Sequence, residues 1–423
     1  MPGGKRRIIV LSVSAGSGHI RAAQALQSAF LEEDPELEVI ILDTFKYASP
    51  SLEKLVLGAY MEMLRLTPAF YGYIYRQSEK GQLLSGFAKK EFNRLLSRFS
   101  SPRLIDFIDS HRPEAVICTH PFPLGVLSAL RRQGKFGRYT VGTLTDMTIH
   151  PYWIFPEVDL YTVGAERLAG ELAGFGIPES RIYTTGIPID PAFAGDVDRK
   201  AVLASCNLVE GIPTILVMGG GLGMGPLEEA VAALGATDTR CQIIVVTGSN
   251  TPLKEKIELM SARLPNRVFV LGYCDNVHQL MAVSNIMVSK AGGLSCAEAL
   301  ARRLPILIMD PLPGQEERNA QFLVSEGAAL GVSGTDDLVG KVKKCLANPF
   351  LLEEMSGAAA RLGRPDAARV IAALVRCLSL KDKRGIAVLA GTGRPLGITP
   401  DKGGRLRGVL PQGRSIRRTP KTR

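Results

Sequence analysis

The 423-residue sequence has no run of about 18 apolar residues, which is the length that a transmembrane helix needs. The apolar run behind the basic N-terminus extends only from Ile8 to Leu11, which is too short for the core of a signal peptide. The seven cysteines include no Cys-x-x-Cys pair, so neither a structural zinc site nor a disulfide framework is expected. These absences predict a cytoplasmic protein with reduced thiols.

Two further patterns are incomplete, and each disfavours a class of ligand. The glycine turn Ser14 to Gly18 joins a predicted strand at 6–13 to a predicted helix at 19–32, but Arg21 stands where a dinucleotide fingerprint has its third glycine. Dinucleotide binding is therefore disfavoured. Asp196-Val197-Asp198 has the spacing of a metal-binding Asp-x-Asp motif, but it follows no predicted strand and is interpreted as solvated linker. We predict no metal and no other cofactor.

The formal net charge of +10 is concentrated at one end of the chain. Residues 381–423 hold twelve Lys/Arg and two Asp/Glu, so the remaining body is formally neutral. This tail is rich in Gly and Pro and lacks periodicity, which predicts disorder. A polybasic tail can bind an anionic membrane surface with about 1 kcal/mol per cation, although a solvated tail without a partner explains the charge equally well. Nucleic acid is the least favoured partner and is not expected.

Short apolar strands alternate with helices along most of the chain, which predicts an α/β fold with doubly wound parallel sheets. The predicted organisation is an N-terminal domain at 1–195 with a helical insertion at 49–110, a linker at 196–212 within an aperiodic stretch that begins at 190, a second domain at 213–363, a helix at 364–380, and the tail at 381–423. The length of the chain is sufficient for two domains with separate cores.

The predicted insertion combines two patterns. Apolar residues such as Leu52, Leu55 and Val56 recur at helical spacing. Residues 60–103 carry eight Lys/Arg against three Asp/Glu, interleaved with Tyr, Phe and Leu. Cations and tyrosines suit contact with anionic lipid headgroups, whereas packing in a protein core explains the apolar stripe. Both interpretations stay open.

The stretch from Val288 to Leu300 predicts an anion site. A short buried strand precedes Gly292-Gly293, and a predicted helix from Leu294 to Arg302, started by Ser295, follows them. Bare glycine backbone and a helix N-terminus together favour a diphosphate. Glu298 has the spacing of a capping box with Ser295, so it is either a cap or a ligand-binding carboxylate. A second strand at 304–309 ends in the polar run Pro313 to Asn319, at the edge of the sheet where ligands bind.

Taken in chain order, the motifs resemble those of the lipid-directed GT-B glycosyltransferases, typified by monogalactosyldiacylglycerol synthase and processive diacylglycerol glucosyltransferase. The matching motifs are Ser14 to His19, Thr145-Asp146 with His150 to Trp153, Met218 to Pro226, Leu271 to Tyr273, Ser289 to Glu298, and Pro313 to Glu316 with Asn319. The resemblance implies two Rossmann-like domains that face a cleft, with the C-terminal helix crossing back to the first domain. It also implies inverting transfer of a hexose from a UDP-hexose to diacylglycerol or a related lipid, by a protein bound peripherally to the inner face of the plasma membrane.

The same resemblance implies a donor site in the second domain. The backbone near Tyr273 is expected to bind the base, and Glu298 the ribose hydroxyls. The diphosphate is expected on Gly292, Gly293, Leu294 and Ser295, with Gly220 and Gly221 opposite. The other donor-side residues are Thr247 and Gly248, which line the pocket, and Gln315, Glu316 and Asn319, which hold the sugar. Lys290 either neutralises phosphate charge or is a surface lysine.

The acceptor hydroxyl must lose a proton, and His19 is the first candidate for the general base because imidazole has a suitable pKa. A structural role for His19 at the start of its helix is the alternative. Asp146 is the second candidate: it could orient His19, act as the base, or cap a turn. The acceptor side is expected to include Gly16, Gly18, His120, His150 and Trp153.

Two other functions are weighed against transfer to a lipid. An isomerase similar to UDP-N-acetylglucosamine 2-epimerase would share the architecture, but the basic helical insertion and the segment His150 to Trp153 favour a lipid acceptor. A non-catalytic UDP-sugar-binding protein is the third hypothesis.

Overall fold

The computed structural model describes residues 5–14, 17–48 and 102–379, together with two short strands, Ile398–Pro400 and Leu406–Gly408, which pair antiparallel. The apolar and basic patterns predicted for 49–101, Gly16, and most of the basic tail lie outside these residues. In the described ranges no helix has both the length and the apolar character needed to cross a bilayer. The same ranges contain no group of three or more His, Cys, Asp or Glu side chains placed to hold a metal ion.

The first domain is built on six parallel strands in the order β2-β1-β3-β4-β5-β6. The strands are Arg7–Ser12 (β1), Glu38–Asp43 (β2), Ala115–Cys118 (β3), Tyr139–Thr143 (β4), Leu160–Val163 (β5) and Ile182–Thr184 (β6). Its helices are Gly18–Glu33 (α1), Thr44–Ala48 (α2), Pro102–His111 (α3), Pro121–Arg132 (α4) and Glu166–Gly174 (α5). The central strands are almost wholly apolar because helices cover both faces of the sheet.

The second domain repeats this design with six parallel strands in the order β12-β11-β10-β7-β8-β9. The strands are Thr214–Met218 (β7), Gln242–Val246 (β8), Arg267–Leu271 (β9), Ile286–Ser289 (β10), Ile306–Met309 (β11) and Ala329–Val332 (β12). Its helices are Leu227–Ala236 (α7), Thr251–Ser261 (α8), Val277–Val283 (α9), Gly293–Ala301 (α10), Gln315–Ser325 (α11), Thr335–Ala347 (α12) and Pro349–Leu362 (α13). The predicted fold class, two doubly wound parallel sheets, is confirmed.

The strand order of each sheet changes direction next to its first strand. In the first domain this switch lies between β1 and β3, and in the second it lies between β7 and β10. Loops at the carboxyl ends of strands flanking such a switch form a crevice where ligands bind in α/β proteins. The loops after β1, β7 and β10 all line one cleft, so the two crevices face each other.

The last helix, Ala367–Ser379 (α14), packs on the first domain, as the resemblance implied. Its apolar side joins a core that includes Ile8, Val10 and Leu26. Arg376 is only 1% exposed, and its Nη1 donates to Glu33 Oε2 on α1 at 3.0 Å. Removing one partner of a buried ion pair costs about 3–5 kcal/mol because the other charge is left uncompensated. The helix is therefore an integral part of a domain whose other elements lie at the opposite end of the sequence.

Two local predictions are wrong. The stretch at 190–212 contains a helix, Arg199–Ser205 (α6), and Asp198 is its N-cap because the Asp198 Oδ1 accepts from the Ala201 amide at 3.1 Å. Asp198 is thus a solvent-exposed residue that also caps a helix. Helix α10 runs from Gly293 to Ala301, within one residue of the predicted Leu294 to Arg302, but its N-cap is Gly292 and not Ser295. Glu298 consequently lies in the second turn, where the predicted capping box with Ser295 does not form.

Candidate functional site

A cleft lies between the two domains. We call it the main cleft. One wall comes from the first domain, with Ser17, His19 and Asp146, and the other from the loops after β7, β10 and β11. A smaller adjoining space, the side pocket, shares Gly220, Leu294 and Ser295 with the main cleft. The two spaces therefore form one continuous path along the N-terminus of helix α10.

The start of helix α10 has the backbone geometry on which the predicted anion site depends. Gly292, Gly293, Leu294 and Ser295 line the main cleft, and the first backbone N–H groups of a helix have no partner within it. A side chain at Gly293 would overlap with the Thr145 carbonyl oxygen, so only glycine permits this close approach of the two domains. Because the helix dipole also favours negative charge here, the site suits a diphosphate.

The loop after β7 faces this helix and also requires glycine. Gly220 and Gly223 adopt the left-handed region, with φ of +70° and +60°. A side chain at Gly221 would overlap with the Ser17 hydroxyl of the first domain. The predicted position of Gly220 and Gly221 opposite Gly292 and Gly293 therefore agrees with the lining of the cleft.

The side pocket contains the Glu298 carboxyl. Glu298 is 7% exposed, and burial raises its pKa to about 8, although the Arg21 cation nearby opposes the shift. No hydrogen bond from the described residues occupies this carboxyl. Tyr273 and Gly248 line the same pocket, as predicted for a site that binds a base and a ribose. The carboxyl is thus available to a ligand with vicinal hydroxyl groups.

Lys290 and Glu316 form an ion pair at the edge of the main cleft. Lys290 Nζ donates to Glu316 Oε1 at 2.7 Å, and the Leu312 amide donates to Glu316 Oε2 at 2.9 Å. Both side chains line the cleft, as does Gln315. In this conformation Lys290 is neutralised by Glu316, so it would have to exchange that partner to reach a phosphate.

His19 projects into the main cleft from the first turn of helix α1. Its Nδ1 lies 2.8 Å from the Thr119 carbonyl oxygen and 2.9 Å from Thr145 Oγ1. A carbonyl oxygen can only accept, so this contact assigns the proton to Nδ1 and leaves a lone pair on Nε2. The ring is partly exposed at the cleft, yet the surrounding protein disfavours the imidazolium and lowers the pKa of His19 to about 4.

Asp146 lies across the main cleft from the loop after β7 and is 8% exposed. Burial raises its pKa to about 6, while hydrogen bonds from Asn319 and Gln315 oppose that shift. Asn319 Nδ2 donates to Asp146 Oδ1 at 3.1 Å. Asp146 therefore bonds to the second domain. The His19 ring is oriented by Thr119 and Thr145, and not by Asp146.

Comparisons with known proteins decide the family. A monogalactosyldiacylglycerol (MGDG) synthase family model matches residues 19–189, and a glycosyltransferase family 28 C-terminal domain model matches residues 214–371. The chain is 27% identical over 83% of its length to a processive diacylglycerol beta-glucosyltransferase of Bacillus subtilis (strain 168), of which it covers 89%. It is 28% identical over 86% of its length to the enzyme of that name from Bacillus cytotoxicus, of which it covers 91%.

The chain belongs to the lipid-directed glycosyltransferases of the GT-B fold. The predicted family, fold and hexosyltransferase activity are confirmed. Among solved structures, Acinetobacter baumannii MurG superposes with a TM-score of 0.58 at 15% identity, over 88% of this chain and 99% of that one. A co-structure of Staphylococcus aureus MnaA with UDP superposes with a TM-score of 0.56 at 15% identity, over 88% of this chain and 96% of that one. At this identity the likeness concerns the fold alone.

Three residues that are predicted to line the site of this glycosyltransferase are instead buried in the protein interior. Asn319 is fully buried, and its side chain bonds to Asp146, Ala291 and Met147, so it does not face a sugar in the cleft. Thr247 is also fully buried, and its hydroxyl donates to the Leu271 carbonyl oxygen at 3.2 Å. Trp153 packs in the core of the first domain, because a large apolar ring is more stable there than at a wet surface.

The two remaining histidines of the predicted acceptor side are helix caps. His120 Nδ1 accepts from the Phe122 amide at 3.1 Å, and His150 Nδ1 accepts from the Tyr152 amide at 3.3 Å. Neither lines the main cleft or the side pocket. The His120 ring meets the His19 ring edge-on, with centroids 4.7 Å apart, so it forms the support behind His19. Gly18 lines the main cleft, while Gly16 lies outside the described residues.

Arg21 is a charged residue of the site that was not predicted from the sequence. It lines the side pocket, and its Nη1 lies 3.0 Å from Asp275 Oδ1 of the second domain. A signal was present in the sequence: a cation stands in the first turn of helix α1, where the dinucleotide fingerprint would have a glycine. That signal was used only to exclude dinucleotides.

Proposed function

We propose that this glycosyltransferase transfers a hexose from a UDP-hexose to diacylglycerol or a related lipid, with inversion at the anomeric carbon and without a metal. The observation that carries the proposal is the path along helix α10, where the anion site, the Glu298 carboxyl and the His19 imidazole all face one space. The names of the Bacillus relatives supply the lipid acceptor.

The donor fits this path in one direction. With the diphosphate on the N–H groups of Gly293, Leu294 and Ser295, the ribose hydroxyls reach Glu298 and the base reaches the wall at Tyr273. The sugar then extends towards Gln315 and Glu316. The helix dipole and the backbone N–H groups stabilise the charge that develops on UDP as it leaves, a role that a divalent cation has in other enzymes.

The reaction is a single displacement. The acceptor oxygen forms a bond to the anomeric carbon while the bond from that carbon to the UDP oxygen breaks, and a base on the enzyme takes the acceptor proton. His19 offers an unprotonated Nε2 in the cleft, and a bound diphosphate would raise its low pKa by favouring the imidazolium. Asp146, with a pKa of about 6, is the other base within the cleft.

One assay tests the proposal as a whole. Purified protein is incubated separately with UDP-glucose, UDP-galactose and UDP-N-acetylglucosamine, with and without liposomes that contain diacylglycerol, in the presence of EDTA. We expect a glycolipid from at least one hexose donor, with the anomeric configuration inverted by NMR. Conversion of UDP-N-acetylglucosamine in the absence of liposomes would instead indicate an epimerase, and loss of all activity in EDTA would contradict metal independence.

A second assay concerns attachment to the inner face of the plasma membrane. Electrostatic attraction by the basic tail is screened over about 8 Å at physiological salt, whereas burial of apolar area is not. Deleting residues 381–423 should therefore weaken co-sedimentation with anionic liposomes mainly at low salt. Replacing Phe87, Lys89, Lys90, Phe92 and Arg94 together should weaken it at every salt concentration. If deletion of the tail alone abolishes binding throughout the salt series, the insertion is not the docking surface.

A further inference from the structure

Asn319 uses both polar atoms of its side chain in hydrogen bonds at the boundary between the two domains. It lies on helix α11 and is fully buried. Its Nδ2 donates to Asp146 Oδ1 at 3.1 Å and to the Ala291 carbonyl oxygen at 3.0 Å. Its Oδ1 accepts from the Met147 amide at 3.0 Å. Two of the three bonds reach the first domain, and the third holds the residue immediately before the anion site.

The groups that Asn319 joins are those that the proposed reaction uses. Ala291 precedes Gly292 and Gly293, whose backbone receives the diphosphate. Asp146 and Met147 follow Thr145, whose hydroxyl contacts His19 Nδ1 at 2.9 Å. Gly293 also lies close to the Thr145 carbonyl oxygen, next to the residues that Asn319 bonds to. The two bonds to Asp146 and Met147 form only while the two domains are in contact, because each domain supplies one side of them.

The geometry points to Asn319 as a positioning residue that fastens the closed cleft and sets the anion site, Asp146 and, through Thr145, His19 in one arrangement. The inference rests on the proposed function, since it assigns a role in that reaction. An amide is required because the position needs a donor towards two oxygens and an acceptor towards one N–H group. Aspartate would keep the acceptor but place a second carboxylate against Asp146 Oδ1.

Asn319→Asp, which preserves size, tests the inference, and Asn266→Asp is the matched control. Asn266 is also a buried asparagine, but its Nδ2 donates to the carbonyl oxygens of Leu234 and Thr237, and its Oδ1 accepts from the Cys241 amide. All of these groups belong to the second domain. The control therefore removes the same kind of bonds without touching the contact between domains.

Three quantities are measured on the full chain: kcat and KM for the UDP-hexose, the affinity for UDP by calorimetry, and hydrogen exchange with peptide resolution. The Met147 amide reports the contact directly because Asn319 Oδ1 is its partner. For Asn319→Asp we expect faster exchange confined to about residues 144–150 and 290–295, with a loss of roughly 10²-fold in kcat, the cost of small misplacements in an active site. UDP affinity should fall far less, because the anion site belongs to one domain.

Asn266→Asp should accelerate exchange around strands β8 and β9 and leave that at 144–150 unchanged. Asn319→Gln, which retains the amide, should recover part of kcat. The inference is overturned if Asn319→Asp leaves kcat and exchange at 144–150 unaltered. It is also overturned if the faster exchange spreads through the second domain as in the control, which would mean a general loss of stability. The exchange result needs no substrate, so failure of the proposed function leaves it readable on its own.

Discussion

The two helices that begin at the cleft follow the same design but place different chemistry there. Helices α1 and α10 each follow a central strand and a glycine turn, and each places a titratable side chain near its start: His19 is half-buried and Glu298 is buried. In α1 burial lowers the pKa of His19 to about 4, and in α10 it raises the pKa of Glu298 to about 8. Both groups are therefore mainly neutral at pH 7. The same physical cause, burial, keeps the His19 imidazole unprotonated on one wall of the cleft and the Glu298 carboxyl protonated on the other.

The largest expected effect tests the wall formed by the first domain. His19→Ala should lower kcat by about 10²–10⁴-fold, because that is the usual contribution of a general base. UDP affinity should change little, since the donor rests on the other domain. Steady-state kinetics and calorimetry on the same preparation check both halves. Near-normal turnover would transfer the role of base to Asp146, for which Asp146→Asn is the companion variant.

The next largest effect tests the wall formed by the second domain. Glu298→Ala should weaken UDP binding by roughly 1.5–3 kcal/mol, because it removes hydrogen bonds between ribose hydroxyls and a carboxyl group. That corresponds to a loss of about 10- to 150-fold in affinity. Glu298→Gln, which keeps the size and one acceptor, should lose less. An unchanged dissociation constant in a folded alanine variant would exclude the ribose role.

A pH profile compares the two candidate bases directly. A base must be unprotonated to act, so acid inactivates it at pH values below its pKa. With His19 as base, kcat/KM should remain level from pH 7.5 down to about 5, since its pKa in the free enzyme is about 4. A tenfold fall per pH unit below about 6, abolished in Asp146→Asn, would identify Asp146.

The smallest expected effect concerns the ion pair across the side pocket. Asp275 is 81% exposed, and exposed ion pairs contribute little, so Arg21→Ala should weaken UDP binding no more than a few-fold through this pair. Asp275→Asn should do the same, and the double variant should lose no more than either single one. A much larger loss in Arg21→Ala alone would mean that Arg21 contacts the donor itself.

The wall of the cleft that is proposed to bind the donor could be predicted from the sequence, because its residues are consecutive in the chain. Gly292 to Ser295 form a glycine turn and a helix start, and local geometry alone makes that an anion site. Glu298 follows within the same helix. Such a site needs no knowledge of how distant segments meet, and the structure places these residues together as expected.

The errors concern residues whose role depends on contacts between distant segments. Asn319 was expected on the sugar, but its partners come from residues more than 170 positions earlier in the chain as well as from Ala291. Trp153 was expected in the acceptor pocket, but it completes the core of its own domain. No local pattern distinguishes a polar side chain that faces a ligand from one that faces another domain.

Helix α14 has a consequence for how the protein is made. Ribosomes synthesise the first domain long before residues 367–379, which cover the face of its sheet that includes Ile8 and Val10. Until that helix emerges, an apolar surface stays open to water and to other chains, and such surfaces promote aggregation. The first domain therefore completes its fold only after the second domain has been translated. Nascent chains halted before residue 367 should accordingly depend on chaperones more than the released protein does.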